Sequence, residues 1–148
     1  MNEEEINRYI LDTFEDITTH STAPAIPSGD TFYFYDPARK FPFVTLVTGD
    51  NYDKVSNLGR PGVYRLNIGV GKDTFRKLCG PGPAPAADSG YDFAVMDKVI
   101  PHPVYGKMYW VSVLNPSDTT FVEQVQPLLA EAYAIAVRRY SSRAKARA

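Results

Sequence analysis

The sequence predicts an α+β fold: an antiparallel β-sheet with N-terminal, short middle and long C-terminal helices packed on one face. Two observations point there. Helical periodicity is confined to the two ends of the chain and one short stretch between them. The rest of the middle is a succession of β-prone runs closed by turn residues, and consecutive strands with few helical crossovers pair antiparallel. A chain of 148 residues, 44% of them hydrophobic, has the size and apolar content of one domain with a real core. A single domain is expected over residues 1–140, followed by a basic C-terminal tail over 141–148.

Residues 3–14 read as a helix because Ile6, Ile10 and Phe14 recur at every fourth position. Glu3, Glu4 and Glu5 place carboxylates at the positive end of its dipole. Residues 18–22 are short, polar and β-prone, which suits an edge strand. Residues 23–30 form a connector, since Pro24 and Pro27 remove backbone donors. Residues 31–35 are all β-prone and stop at Asp36-Pro37. Residues 43–48 are apolar and β-branched, and Gly49-Asp50-Asn51 closes them with turn chemistry. Residues 63–70 alternate: Val63, Arg65, Asn67 and Gly69 face one way, and Tyr64, Leu66, Ile68 and Val70 the other.

A short helix is predicted over 72–79, capped by Gly71 or Asp73 and burying Phe75, Leu78 and Cys79. Residues 80–90 are rich in glycine and proline and read as a mobile surface loop, either a lid or a plain insertion. Residues 97–101 add a short strand. Residues 108–114 alternate and end at Asn115-Pro116. The C-terminal helix carries an apolar stripe through Val125, Leu128, Leu129, Ala132, Tyr133, Ala136 and Tyr140, and Thr120 with Glu123 matches a capping box at its start. Pro127 is tolerable there only in the first turn or at a kink, which leaves as the alternative a helix that begins near Gln124 with a turn before it. The tail beyond residue 140 is expected to fray.

Several function classes drop out. No apolar run reaches the ~18 residues of a membrane-spanning helix. The N-terminus is acidic where a secretory leader would be basic and then apolar, so a cytoplasmic protein without a membrane partner is expected. Cys79 is the only cysteine, which excludes an internal disulfide and an all-cysteine metal site. The only histidines, His20 and His102, lie far from it in sequence, and no metal or cofactor is expected. A net charge of -1 argues against a chain coated in basic residues.

Cys79 sits where a helix C-terminus would raise its pKa, and reads as a buried structural residue rather than a nucleophile. Gly69-Val70-Gly71-Lys72-Asp73-Thr74 lacks the spacing of a phosphate loop, although an anion at the following helix N-terminus stays open. His20 reads as exposed. His102, in the stiff Pro101-His102-Pro103, reads first as an exposed loop residue and second as a pocket-lining group or general base. Arg65 and Asn67 share a strand face with Gly69 and fit a concave binding surface and a solvated sheet face equally well. Residues 1–30 carry seven acids against Arg8 alone, whereas Arg138, Arg139, Arg143, Lys145 and Arg147 close the chain without an acid. Such an end fits phosphate contacts, cations at a helix C-terminus, or pairing with the acidic N-terminal helix.

Three stretches carry a resemblance: residues 64–75, then Lys107-Met108-Tyr109-Trp110, then residues 128–133. Together they resemble an uncharacterised bacterial domain-of-unknown-function family, and more distantly are similar to MmcQ/YjbR-like proteins. Lys107, three residues before Trp110, and the pair Ala132-Tyr133 match that pattern. Gly106 and Tyr109 depart from it, standing where those relatives usually have asparagine and histidine, and the 80–90 loop is additional. The resemblance implies a CyaY-like α+β fold and no established activity.

The function expected on these grounds is a non-catalytic binding or interaction module. An unknown small ligand or protein partner would meet the sheet face and the 101–110 segment, through Arg65, Asn67, His102, Tyr105, Lys107 and Trp110. A nucleic-acid reading would use Lys107 with Arg138, Arg139 and Arg143. An enzyme using His102 comes third, because no nucleophile–base pair or metal cluster assembles from the sequence. A monomer or homodimer is expected.

Overall fold

Alternation in the middle of the chain decides the architecture. In the computed structural model, which describes residues 1–22, 29–50 and 53–147, six strands form one sheet. They are β1 (Thr18–Ser21), β2 (Thr31–Phe34), β3 (Val44–Val47), β4 (Arg65–Gly69), β5 (Val99–Pro101) and β6 (Trp110–Leu114). The order is β1-β2-β3-β4-β6-β5, with every neighbouring pair antiparallel. The first four strands meander. The chain then crosses over to the far edge as β5 and returns as β6 into the gap beside β4. Most of the 23–30 connector and Asn51 of the predicted turn lie outside the described residues.

Helix α1 (Glu3–Thr13) starts at Asn2, whose side chain and that of Glu5 each accept the other's backbone N–H. It buries Ile6 and Ile10 on the sheet. Helix α2 (Lys72–Cys79) is capped by Gly71 and buries Phe75, but Leu78 is exposed, against expectation. Helices of this length hold only about two turns, and Phe75 is the one residue of this helix that is fully buried. Cys79 is half-buried against the core, and burial raises its thiol pKa.

The C-terminal helical segment begins earlier than the Thr120–Glu123 pattern suggests. Ser117 is the cap, accepting from the Thr120 N–H, and a short turn α3 (Asp118–Thr120) follows. A π-helical turn, Phe121–Val125, leads into α4 (Gln126–Arg147). The wide turn explains Pro127. The Gln126 N–H bonds back to the Phe121 carbonyl, so the ladder has already shifted register where the proline would otherwise leave a gap. Helix α4 runs through Arg147, so residues beyond 140 continue the helix. The stripe of Val125, Leu128, Leu129 and Ala132 is buried as predicted.

The two faces of the sheet differ. Tyr33, Val44, Leu46, Leu66, Ile68 and Val113 form the main core with the helices. The opposite face is divided. Toward one end, Val47, Leu114 and Ile100 are covered by Leu58, Val63 and Phe93 from the loops, making a second, smaller core. Arg60 stitches those loops together, donating to the carbonyls of Ser56 and Ala94. The rest of that face is left open.

Candidate ligand-binding site

The open part of the sheet holds a cavity of about 690 Å3. Its floor follows from strand register. His20, Phe32, Thr45, Asn67, Ser112 and Ile100 are successive cross-strand partners, and directly opposed residues share a face. The centre of this row is polar and buried. Asn67 Nδ2 donates to Thr45 Oγ1 at 2.9 Å, and Ser112 Oγ donates to Asn67 Oδ1 at 2.7 Å.

Arg65, two residues along β4, has the same orientation and is only 1% exposed. Its Nε donates to Asn67 Oδ1 at 3.0 Å, and Nη1 donates to Ser56 Oγ at 2.8 Å. Its fork engages Asp53 at 3.0 and 2.8 Å. Burial by itself would push the Asp53 carboxyl up, but the hydrogen bonds and charge of Arg65 outweigh it and hold that pKa below its usual value. A guanidinium paired in this bidentate way gives the floor a polar but locally neutral character.

His102 closes one side. The expectation of an exposed loop residue is overturned: the side chain is 5% exposed and lines the cavity. Its Nδ1 accepts the backbone N–H groups of Val104 and Tyr105, both at 3.0 Å. Pro103 has no N–H to offer, so the imidazole satisfies the turn that follows it. An imidazole with both acceptances at Nδ1 carries its proton on Nε2. Among the described residues Nε2 has no protein partner. Burial and then the nearby Arg65 charge lower the pKa to about 3, against the opposing pull of Asp53. The ring is therefore neutral at pH 7 and presents a donor.

The walls are aromatic and apolar. Trp110 meets His102 edge-on at 6.4 Å, and Tyr105 lies 5.1 Å from the same ring. Trp110 can lie flat on β4 only because residue 69 is glycine: a Cβ there would stand 2.9 Å from the indole Cε2. Tyr109 takes a left-handed conformation, φ 68°, which turns its own ring to Phe75 in the core while Trp110 faces the cavity. At the rim Phe41, Val104, Tyr105 and Met108 are exposed apolar side chains gathered around one opening.

Helix α4 brings two cations to that rim. Arg143 is held by Asp36 at 3.3 Å and lies over the Phe41 ring. It does not pair with the acidic N-terminal helix. Arg139 is exposed and, among the described residues, pairs with no carboxylate. Both also border a small annex of about 50 Å3 behind Trp110.

The structure thus brings together Arg65, Asn67, His102, Tyr105 and Trp110, with Arg139 and Arg143 at the mouth. Lys107 is exposed on the turn Gly106–Met108 and Arg138 on α4, and neither lines the cavity. His20 is exposed as expected. The anion site at the start of α2 is already occupied from within: Glu131 accepts from the Gly71 N–H at 2.8 Å and the Thr74 hydroxyl at 2.6 Å. Nor does the 80–90 loop hang free as a lid. Ala84 packs against the core, so close to Gly106 that a Cβ there would stand 2.9 Å from its own.

Asp53, Ser56, Thr45, Phe41 and Met108 were missed from sequence. The available signal was Arg65 itself, since a lone arginine amid apolar strand residues needs a carboxylate partner once buried. Among the described residues no three of His, Cys, Asp or Glu are placed to hold a metal ion. None of their helices is long and apolar enough to cross a membrane. Residues 1–145 match the profile of a family of unknown function, DUF6194. No curated protein and no solved structure matches the chain.

Proposed function

The chain belongs to that family of unknown function, and we propose that it is a small-ligand-binding protein that receives its ligand on the open sheet face. The observation that carries this reading is the cavity of about 690 Å3, with apolar walls and a few convergent polar groups on its floor. Ligand sites are typically built this way. The binding-module expectation through Arg65, Asn67, His102, Tyr105 and Trp110 is kept, with Lys107 left out.

Catalysis has less in its favour. With Nδ1 of His102 engaged by two backbone donors and the proton on Nε2, that ring is a hydrogen-bond donor and not a base. A nucleic-acid role is also weakly supported, because Arg143 is committed to Asp36 and Phe41. The likeness to MmcQ/YjbR-like proteins rests on Lys107, Trp110, Ala132 and Tyr133, of which only Trp110 lines the larger cavity.

A fragment library screened by amide NMR on uniformly labelled protein tests the reading. Saturable shifts confined to β4 and the 101–110 segment are expected. Silence across the library, or shifts scattered over the helical face, would overturn it.

A further inference from the structure

Resting on that reading, we infer that the ligand is an amphipathic anion, oriented with a neutral hydrogen-bond acceptor inward and its acidic group at the mouth. The polarity follows from where charge is already balanced. Inside the cavity, Arg65 is fully matched by Asp53. An acid placed there would meet the Asp53 carboxylate and gain no free cation. What the interior offers is a donor, His102 Nε2–H, which no group among the described residues uses. A ketone, ester or ether oxygen fits that donor. A protonated amine does not.

The mouth has the opposite character. Arg139 stands there, paired with no carboxylate among the described residues, next to Arg143, which is committed to Asp36 and the Phe41 ring. Between the two ends, Phe32, Tyr105 and Trp110 supply flat surfaces for a ring system. A carboxylate at the outer end would pair with Arg139 while staying solvated, so the pairing is worth about fivefold in affinity. The inner hydrogen bond is worth a similar factor, about three- to tenfold.

Three probes separate these terms: 4′-acetylbiphenyl-4-carboxylate, its carboxamide, and the 4′-ethyl carboxylate that lacks the ketone. Binding is followed by emission of Trp110, the only tryptophan. The acetyl carboxylate is expected to bind about fivefold tighter than the amide, with that advantage reduced by salt and lost in Arg139→Gln. It should also beat the ethyl analogue, and that advantage should vanish in His102→Phe. A Lys107→Gln variant should bind like the wild type. Equal binding of acid and amide, or an acid preference that survives Arg139→Gln, would overturn the inferred orientation while leaving the cavity a binding site. Failure of all three probes would overturn the ligand class, while the fragment screen decides separately whether the cavity binds anything. Because Arg139 is exposed, its variant is expected to fold, and unchanged thermal unfolding confirms this.

Discussion

At the scale of single residues, the buried pair Arg65–Asp53 is the most sensitive point in the molecule. Its side chains are 2% and 9% exposed, so removing one partner strands a charge away from water. Arg65→Met should cost about 3–5 kcal/mol in urea unfolding, and adding Asp53→Leu should recover much of it. His102 makes stability depend on pH. Its ordinary pKa is near 6.5 and its folded value is about 3. Between those values the unfolded chain binds a proton that the folded ring refuses, so stability falls as pH drops. The slope approaches about 1.4 kcal/mol per pH unit, and His102→Phe should flatten it over that window. Gly69→Ala should push Trp110 out of place, shift its emission and cost about 1–3 kcal/mol by overpacking. The side of β4 on which Arg65 and Asn67 stand was legible, because strand alternation fixes it. The burial of His102 was not, since the rings that enclose it arrive with β6 and its preceding turn.

At the scale of elements, the ends of the chain were easiest to read and the joins hardest. The Ile6–Ile10 spacing and the α4 stripe follow helical period and need no tertiary knowledge. Of the two starts the sequence allows for the last helix, the Thr120–Glu123 cap is not used, because Ser117 performs that role three residues earlier, whereas a turn leads into α4 at Gln126, close to the other. Ser117→Ala should therefore lower stability by about 1 kcal/mol in thermal unfolding, where Thr120→Ala should do less to the cap. The continuation of α4 past residue 140 matters for the site, because it carries Arg139 and Arg143 to the rim. That the 80–90 segment is neither helix nor strand was legible from its prolines. Its anchoring through Ala84 was not, because contact with Gly106 depends on a turn that composition does not encode.

At the scale of the whole molecule, the class and its helix-covered sheet were legible, whereas the insertion of β6 between β4 and β5 was not. Pairing order is a long-range choice, and local propensity is silent about it. The division of the second face into a small core and a cavity is hidden for the same reason. A ligand held only by the folded state stabilises the whole domain: at a hundredfold excess over Kd, a bound acetylbiphenyl carboxylate should add about 2.7 kcal/mol, seen as a rise in Tm. The Thr45–Asn67–Ser112 row has one more consequence, for folding itself. A slip of β4 by one residue would turn Arg65 and Asn67 inward into the apolar core beneath the helices, away from Asp53, Thr45 and Ser112, and send Leu66 and Ile68 outward. Mispaired sheets are therefore penalised at three strands simultaneously, and the same side chains that shape the cavity act as a proofreading device for register as the chain folds.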